Sequence, residues 1–267
     1  TVDYAVVRDT QPNGVTLDAK KSFKIDEFNF NDIYKNIVTD ASITPFDHFQ
    51  SPAWSGYDDS LLIVQKDPLN NDYPYFFSMF HGENLPSTNI SFDSTGGNVY
   101  AFTEGYISDG GKATINYSAS GLSLTTDQVF SAIKTTSKND DNYLLANVFD
   151  GNDMFTLSDE DDVIDGYAGD DHFIVGKGND IVDGGIGNDT VYLWGTTDSY
   201  NISYNISSDT FTFSAPDGRV DNKTIKNVEN FVFNSESTRV DEIYTRTAEN
   251  LKQNILKKQE PVNNDNS

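Results

Sequence analysis

The sequence contains no cysteine, which excludes both a disulfide framework and a thiolate metal site. It also lacks any run of about 18 apolar residues, so we expect no membrane-spanning helix. Lack of cysteine is usual in a reducing compartment but does not require one, because bound metal can stabilise a secreted fold in place of disulfides. The location of the protein must therefore be inferred from other features.

Basic side chains are also scarce. Lys and Arg number 18 against 42 Asp and Glu, which gives a formal net charge of −24. Such a polyanion repels phosphate backbones and anionic membrane surfaces, so we expect neither nucleic acid nor a membrane surface as a partner. Aromatic residues make up 13% of the chain, and this amount of apolar surface predicts a folded protein.

The common catalytic motifs are missing as well. HExxH is absent, and the three histidines, His48, His81 and His172, do not have the spacing of metal ligands. GxSxG is absent, which removes the usual lipase nucleophile. A carboxylate-based hydrolase or lyase stays open, because 42 acidic residues offer many pairs. We assign no catalytic residue and favour a protein that is not an enzyme.

The acidic residues are concentrated in one segment. Residues 148–192 contain twelve Asp and Glu side chains against one lysine, Lys177. A compact fold cannot hold like charges at this density without bound cations or strong self-repulsion. The segment is therefore the first candidate for a functional site.

The same segment consists of five blocks of nine residues: VFDGNDMFT, LSDEDDVID, GYAGDDHFI, VGKGNDIVD and GGIGNDTVY. Position six is always Asp: Asp153, Asp162, Asp171, Asp180 and Asp189. Position eight is always apolar: Phe155, Ile164, Phe173, Val182 and Val191. Position four is Gly in four blocks, and position five is always Asn or Asp.

This pattern predicts short strands stacked through tight turns. One inward apolar residue per block cannot form a core alone, whereas stacked blocks form a continuous one. Glycine permits the positive φ of a tight turn, and such turns direct backbone carbonyls to one side. Carbonyl and carboxylate oxygens together suit Ca²⁺, which takes roughly six to eight oxygen ligands. The block has no sulfur and only one histidine, which disfavours zinc and copper.

The blocks resemble the RTX (repeats-in-toxin) nonapeptide, Gly-Gly-x-Gly-x-Asp-x-apolar-x, and GGIGNDTVY matches it at every defined position. The resemblance implies a parallel β-roll in which two nonapeptides form one coil and Ca²⁺ lies between stacked turns. What we call the first edge would then carry Asp153, Asp171 and Asp189. The second edge would carry Asp162 and Asp180. This arrangement allows up to three Ca²⁺ ions.

The resemblance also implies further residues at these sites. Besides the five aspartates they are the turn residues Gly151, Gly166, Ala168, Gly169, Gly178, Gly184, Ile186 and Gly187. Asp150 and Asp159 are added as candidate ligands in the two blocks that depart from the motif. The second block has Ser158 and Glu160 in place of glycines, which weakens the predicted site on the second edge, although Asp159 or Glu160 could donate an oxygen there. We expect the best-formed site between Asp171 and Asp189. Residues 139–147 (NDDNYLLAN) are interpreted as a decayed repeat that caps the roll.

The remainder of the chain is predicted to be mainly β. Strand patterns precede the repeats at Tyr4–Val7, Leu61–Val64, Tyr75–Phe80, Asn98–Phe102 and Ala113–Tyr117, and Phe28–Ile37 is open between strand and helix. Thr125 and Gln128 have the spacing of a capping box before a helix at about 126–135. Strand patterns follow the repeats at 199–206, 210–215 and 227–233, and an amphipathic helix is predicted at 247–258. The segment containing Asn227, Val228 and Glu229 also resembles the one that commonly follows RTX repeats.

We therefore predict a mainly β fold with four parts. A β-rich N-terminal lobe (1–136) is followed by a short calcium-binding parallel β-roll (137–192), a C-terminal β-hairpin and helix cap (193–258) and a disordered tail (259–267). The resemblance implies export through a type I secretion channel to the exterior or surface of a Gram-negative bacterium. The lobe would bind a cell-surface glycan or protein as an adhesion module. The alternative is a small secreted enzyme or ligand carrier that the roll stabilises.

Overall fold

The computed structural model describes residues 15–21, 23–25, 59–66, 75–85, 96–107, 113–215, 221–234 and 243–259. The predictions for Tyr4–Val7, Phe28–Ile37 and the tail beyond residue 259 lie outside these residues. No helix in the described ranges is long and apolar enough to cross a membrane.

The lobe is built on one sheet. Its strands are β1 (Thr16–Ala19), β2 (Asp59–Lys66), β3 (Tyr75–Glu83), β4 (Asn98–Ile107) and β5 (Ala113–Thr125). They follow the order β1-β5-β4-β3-β2, and every neighbouring pair is antiparallel. The four predicted strands that fall in the described ranges are confirmed as parts of β2 to β5, and β1 was not predicted.

The predicted helix is confirmed as α1 (Thr126–Lys134). The Thr125 side chain accepts a hydrogen bond from the Gln128 backbone, and the Gln128 side chain accepts one from the Thr125 N–H, so the capping box is complete. The apolar face of α1, which includes Val129 and Ile133, is buried.

A second helix, α2 (Lys138–Val148), follows directly. The interpretation of residues 139–147 as a decayed repeat is therefore wrong. Ser137 is the N-cap and accepts a hydrogen bond from the Asn139 N–H, while Asp140 and Asp141 lie in the first turn, where negative charge favours a helix. The chain enters the roll from the end of this helix.

The five repeats form the strands of a parallel β-roll, as predicted. These strands are β6 (Met154–Thr156), β7 (Val163–Asp165), β8 (His172–Ile174), β9 (Asp180–Asp183) and β10 (Thr190–Trp194). Strands β6, β8 and β10 pair in parallel in one sheet, and β7 and β9 pair in parallel in the other. Consecutive repeats thus alternate between the two sheets, and two of them form one coil.

Residues 15–21 and 23–25 begin the roll. Strand β1 pairs in parallel with β6, and Lys24 bridges in parallel to Val163 at the edge of the other sheet. Because β1 also pairs with β5, the sheet of the lobe continues without a break into the sheet of the roll. The division of the chain at residues 136 and 192 stays a prediction.

The cap extends both sheets of the roll. It comprises a short 3₁₀ helix (Thr197–Ser199), β11 (Asn201–Asn205), β12 (Thr210–Ser214), β13 (Lys223–Lys226), β14 (Asn230–Asn234), β15 (Ile243–Thr247) and α3 (Ala248–Gln259). Strand β13 pairs in parallel with β9, and β14 pairs in parallel with β10. The predicted hairpin, the strand in 227–233 and the final helix are confirmed, whereas β13 and β15 were not predicted.

The position-eight side chains form the core of the roll. All five are at most 1% exposed. The rings of Phe155 and Phe173 stack with their centroids 4.9 Å apart and their planes 6° from parallel. Phe149, which follows α2, packs on Phe155 at 5.4 Å and continues this core towards the lobe.

The substitution Phe173→Ala should therefore lower the free energy of unfolding by about 3–5 kcal/mol, since it opens a cavity between two coils. Ile181→Ala is the matched control, because Ile181 is 45% exposed at the outward position of its block. We expect it to cost about 0.5 kcal/mol or less. Urea unfolding at saturating calcium measures both, and equal losses would contradict this account of the core.

Candidate metal centre

The first edge carries a column of buried aspartates. Asp153, Asp171 and Asp189 are each 0% exposed. The Oδ1 of Asp171 accepts a hydrogen bond from the Asp153 N–H, and the Oδ1 of Asp189 accepts one from the Asp171 N–H, both at 2.8 Å. The Oδ1 of Asp153 likewise accepts one from the Val15 N–H. Each position-six carboxylate therefore holds the preceding coil in place.

The other carboxylate oxygen of each of these aspartates faces no donor. Within the described part of the chain, the buried Oδ2 atoms of Asp153, Asp171 and Asp189 have no hydrogen-bond partner. A buried acceptor without a partner costs about 1–3 kcal/mol, and a charged one costs more. Three such atoms in one column indicate a place for a ligand that the described residues do not provide.

Backbone carbonyls converge on the same places. A Cβ at Gly166 would lie 2.3 Å from Asp171 Oδ2 and 2.5 Å from the carbonyl oxygen of Gly184. A Cβ at Gly184 would lie 2.7 Å from Asp189 Oδ2 and 2.0 Å from the carbonyl oxygen of Asn227. Glycine at position one thus leaves room for a cradle of carboxylate and carbonyl oxygens between successive turns.

The cap supplies the last turn of the first edge. Asn227 has a positive φ of 51°, as a tight turn requires. Glu229 Oε2 accepts a hydrogen bond from the Asp189 N–H at 2.8 Å, which is the role that each position-six aspartate plays for the coil before it. The cradle at Asp189 therefore lies between the fifth repeat and the cap.

Burial governs the electrostatics of the column. Desolvation raises the pKa of Asp153, Asp171 and Asp189 to about 7, and the charges of neighbouring aspartates add to this increase. Desolvation also raises the pKa of Asp180, to about 6, while the Lys223 ammonium opposes the rise. The protein environment alone thus disfavours the ionised form at every one of these positions.

The second edge satisfies its carboxylates internally. Asp162 Oδ2 accepts hydrogen bonds from the Ser158 backbone N–H at 2.9 Å and from the Ser158 hydroxyl at 2.8 Å. Asp180 Oδ2 lies 2.7 Å from Lys223 Nζ in a fully buried ion pair. Ser158, which departs from the motif, thus takes up the oxygen that the first edge leaves without a donor.

Position five forms a second ladder on the outside of the turns. Asn152 Oδ1 accepts a hydrogen bond from the Asp170 N–H, and Asp170 Oδ1 accepts one from the Asn188 N–H, each at 2.9 Å and 18 residues apart. Asp161 accepts one from the Asn179 N–H in the same way on the second edge. This explains why position five is always Asn or Asp. No role for this regularity was predicted from the sequence.

The other turn residues predicted for the sites make backbone contacts between stacked coils or with the cap. Gly169, at φ 130°, lies so close to Gly151 that a Cβ would approach the Gly151 carbonyl oxygen to 1.9 Å, and Gly187 packs on Gly169 in the same way. Ala168 and Ile186 bridge in parallel, and Gly178 donates its N–H to Asp221.

Two predicted acidic residues lie apart from the cradles. Asp150 is exposed at the start of the first turn. Asp159 is exposed and forms an ion pair with Lys177 at 2.7 Å, and Glu160 forms one with Lys21 at 2.6 Å. Both side chains are thus paired with lysines in this structure, and the suggestion that Asp159 or Glu160 donates an oxygen at the second edge stays a prediction.

The first edge thus fits a hard cation with oxygen ligands. No group of three His, Cys, Asp or Glu side chains is close enough to hold a metal in the parts of the chain that the structure describes. A site of the kind seen here does not need one, because each turn contributes one carboxylate and the rest are carbonyl oxygens, as Ca²⁺ accepts. The second edge does not fit, since protein donors already occupy its carboxylates.

Two residues that complete the edges were not predicted as site residues. Glu229 could have been suspected from the sequence, because the segment around it resembles the one that follows RTX repeats. The sequence pattern around Lys223 is less informative: this lysine lies two residues before Ile225, on the inward face of β13. Neither pairing can be read from the sequence, because Asp189 and Asp180 are 40 and 43 residues away.

The repeats were also compared with known proteins. The family model of the RTX calcium-binding nonapeptide repeat, which describes four copies, matches residues 148–182, 158–191 and 168–199. No curated protein gives a significant match. Among solved structures, the extracellular lipase LipA of Serratia marcescens matches over 36% of this chain at 17% identity, with a TM-score of 0.29. The match spans only 14% of that lipase, and nothing about activity follows from it.

The chain therefore carries a block of RTX calcium-binding repeats, as the nonapeptide pattern predicted. RTX repeats bind calcium, and in this chain the oxygens suited to it lie along the first edge of the roll.

The raised pKa values predict how stability depends on pH. The first-edge aspartates have a pKa of about 7 when folded and about 4 when unfolded. Without calcium the folded state retains protons that the unfolded chain releases, so stability falls as pH rises from about 4 to about 7 and then levels off. Calcium binds the ionised form, so the rise in melting temperature that it causes should grow over the same window.

Melting curves of metal-stripped and calcium-loaded protein between about pH 5 and about pH 8 test this. The metal is removed beforehand, because the affinity of a chelator itself varies with pH. Magnesium at the same concentration is the control for ionic strength. A calcium-induced shift of equal size at both ends of the range would contradict the assignment.

Proposed function

We propose that this protein is a secreted calcium-binding protein whose roll folds when calcium becomes available outside the cell. One observation supports this most directly: three buried carboxylate oxygens on the first edge have no donor in the described chain. In the absence of a cation the roll can close only over protonated or unneutralised aspartates. Bound calcium supplies the positive charge and the additional coordination that these oxygens and the turn carbonyls require.

We further propose up to three ions, all on the first edge. The cradle at Asp171 lies between the third and fifth repeats, where the best-formed site is expected. The cradle at Asp189 uses Asn227 of the cap, and Asp153 begins the column beside the segment at Val15. The second edge, which the sequence suggested as the place for one ion, is not included because its carboxylates are satisfied.

Secretion in an unfolded form is consistent with the charge of the repeats. Extracellular calcium modules work at about 10⁻⁴–10⁻³ M, far above calcium levels inside a cell. Where an apo site is not preformed, binding energy becomes folding energy. Self-repulsion among the acidic repeats would keep the chain open before export, and we propose a type I channel as the route.

For the lobe we propose an adhesion role, with a surface glycan or protein as the partner. The support is its connection to the roll, because β1 is hydrogen-bonded to both β5 and β6. Closing the roll therefore orders the strand against which the lobe sheet is built. The lobe would then present its surface only where calcium is abundant.

The calcium assignment is tested by Asp171→Asn. This change keeps an oxygen to accept the Asp153 N–H but replaces the Oδ2 that has no donor with an amide. We expect the calcium-dependent rise in melting temperature to shrink by about 2–4 °C for each ~1 kcal/mol of binding energy lost. Asp170→Asn is the matched control, because Asp170 is the exposed neighbour in the same turn and should leave the rise unchanged.

Circular dichroism during calcium titration is the measurement. If wild-type protein stripped of metal already has the spectrum and melting temperature of the calcium-loaded form, calcium-coupled folding is wrong.

The role of the lobe is tested with the full chain, because the lobe sheet shares β1 with the roll. We expect binding to a panel of surface glycans and host proteins in calcium but not after its removal. Asp171→Asn should weaken this binding at limiting calcium, and Asp170→Asn should not. Partner binding that survives metal removal would separate the lobe from the roll and contradict the proposed coupling.

A further inference from the structure

A lysine from the cap is buried at the second edge. Lys223 lies on β13 directly opposite Asp180 of β9 and is 3% exposed. Its Nζ lies 2.7 Å from Asp180 Oδ2 and also donates to the carbonyl oxygen of Gly178. Lysine is almost never fully buried unless its charge is paired, so this placement requires those two oxygens.

These two oxygens belong to the calcium-binding pattern. Asp180 occupies position six of its repeat, and Gly178 occupies position four of the same turn. On the first edge the corresponding Oδ2 atoms have no donor in the described chain. The two edges therefore use the same repeat, but on the second a protein ammonium binds the position-six Oδ2 that the first edge leaves without a donor.

Burial distinguishes the Lys223 ion pair from the other lysine–aspartate pair on the same strand. Lys226, on the same strand, also forms an ion pair with a repeat aspartate, Asp183, but its side chain is 45% exposed. An exposed pair of this kind contributes little to stability. The Lys223 pair is enclosed, so loss of its cation leaves a buried carboxylate without compensation.

We propose that the ammonium of Lys223 takes the place of a calcium ion at the second edge, and that removing this side chain creates a calcium site there. This inference rests on the proposed function, because it assumes that the first edge binds calcium. The second edge is thereby closed without metal. Asp180 Oδ2 and the Gly178 carbonyl would become available to an ion, and the carboxylate of Asp221, which accepts the Gly178 N–H at 2.8 Å, lies beside them.

Two substitutions separate this role from simple packing. Lys223→Ala removes the charge and leaves room for an ion, whereas Lys223→Met removes the charge but keeps most of the side-chain volume. We expect both variants to melt at lower temperature than wild type when stripped of metal. Calcium at about 10 mM, above the range of extracellular modules, should restore Lys223→Ala towards wild type but not Lys223→Met. Isothermal titration should find one more bound ion in Lys223→Ala than in wild type.

Two controls fix the interpretation. Lys226→Ala should change neither the number of bound ions nor the dependence of melting on calcium. The double variant Lys223→Ala/Asp180→Asn no longer buries the unpaired carboxylate charge of Asp180. The melting temperature of its metal-stripped form should therefore recover, and the additional calcium ion should no longer bind.

Each outcome decides the question. Wild-type protein that binds no calcium would overturn the proposed function and leave Lys223 as a structural ion pair. Wild type that binds calcium, with Lys223→Ala gaining no ion or failing to fold at any calcium concentration, would overturn only the replacement of calcium by lysine. Equal rescue of the Ala and Met variants would also overturn it, because the Met variant has no room for an ion.

Discussion

The structure depends on one repeated contact, a buried aspartate whose carboxylate bridges two coils of the roll. One oxygen of each such group accepts a backbone N–H from the preceding coil and so sets the spacing of the stack. The same contact brings a carboxylate into the interior, and the second oxygen must be neutralised. A carboxylate can meet that need with a proton, a metal ion or a cationic side chain, and the rest of the fold determines which is used.

The two edges of the roll meet the need differently, and the difference comes from the cap and from Ser158 of the second repeat. On the first edge the cap contributes Asn227 and Glu229, an oxygen-rich turn that extends the pattern of the repeats. On the second edge the cap contributes Lys223, and Ser158 within the repeats satisfies Asp162. The terminal units of a repeat protein differ from the others because they close its core. In this roll the C-terminal cap also supplies side chains that contact the buried aspartates.

Much of the roll could be predicted from the sequence because its constraints recur every nine residues. Asp at position six and an apolar residue at position eight point inward in every block, and the structure buries all ten. The parallel roll and the assignment of repeats to alternate edges were expected from the resemblance of these blocks to the RTX nonapeptide. The metal site was predicted less completely, because the nine-residue period does not show which carboxylate oxygens accept hydrogen bonds from the protein.

The parts that were not predicted are those whose structural role depends on contacts with residues far away in the sequence. Residues 15–21 and 23–25 carry no repeat signature, yet Val15 and Phe23 donate backbone hydrogen bonds to Asp153 and Asp162 at the start of the roll. Lys223 becomes informative only when β13 is known to lie beside β9. The error at 139–147 has a local cause, because a capped helix with acidic residues in its first turn happens to have the length and polarity of a repeat.

The position of β1 has a consequence for how the chain folds. A solenoid is expected to grow from any nucleus by adding neighbours, with contacts that are short in sequence. Here the hydrogen bond that begins the stack joins residues 138 apart, so an early part of the chain must wait for the repeats. Loop closure over such a distance slows folding, because chain entropy is lost before the contact forms. Folding is therefore expected to spread from the repeats towards both flanks, with the pairing of β1 to the roll formed late.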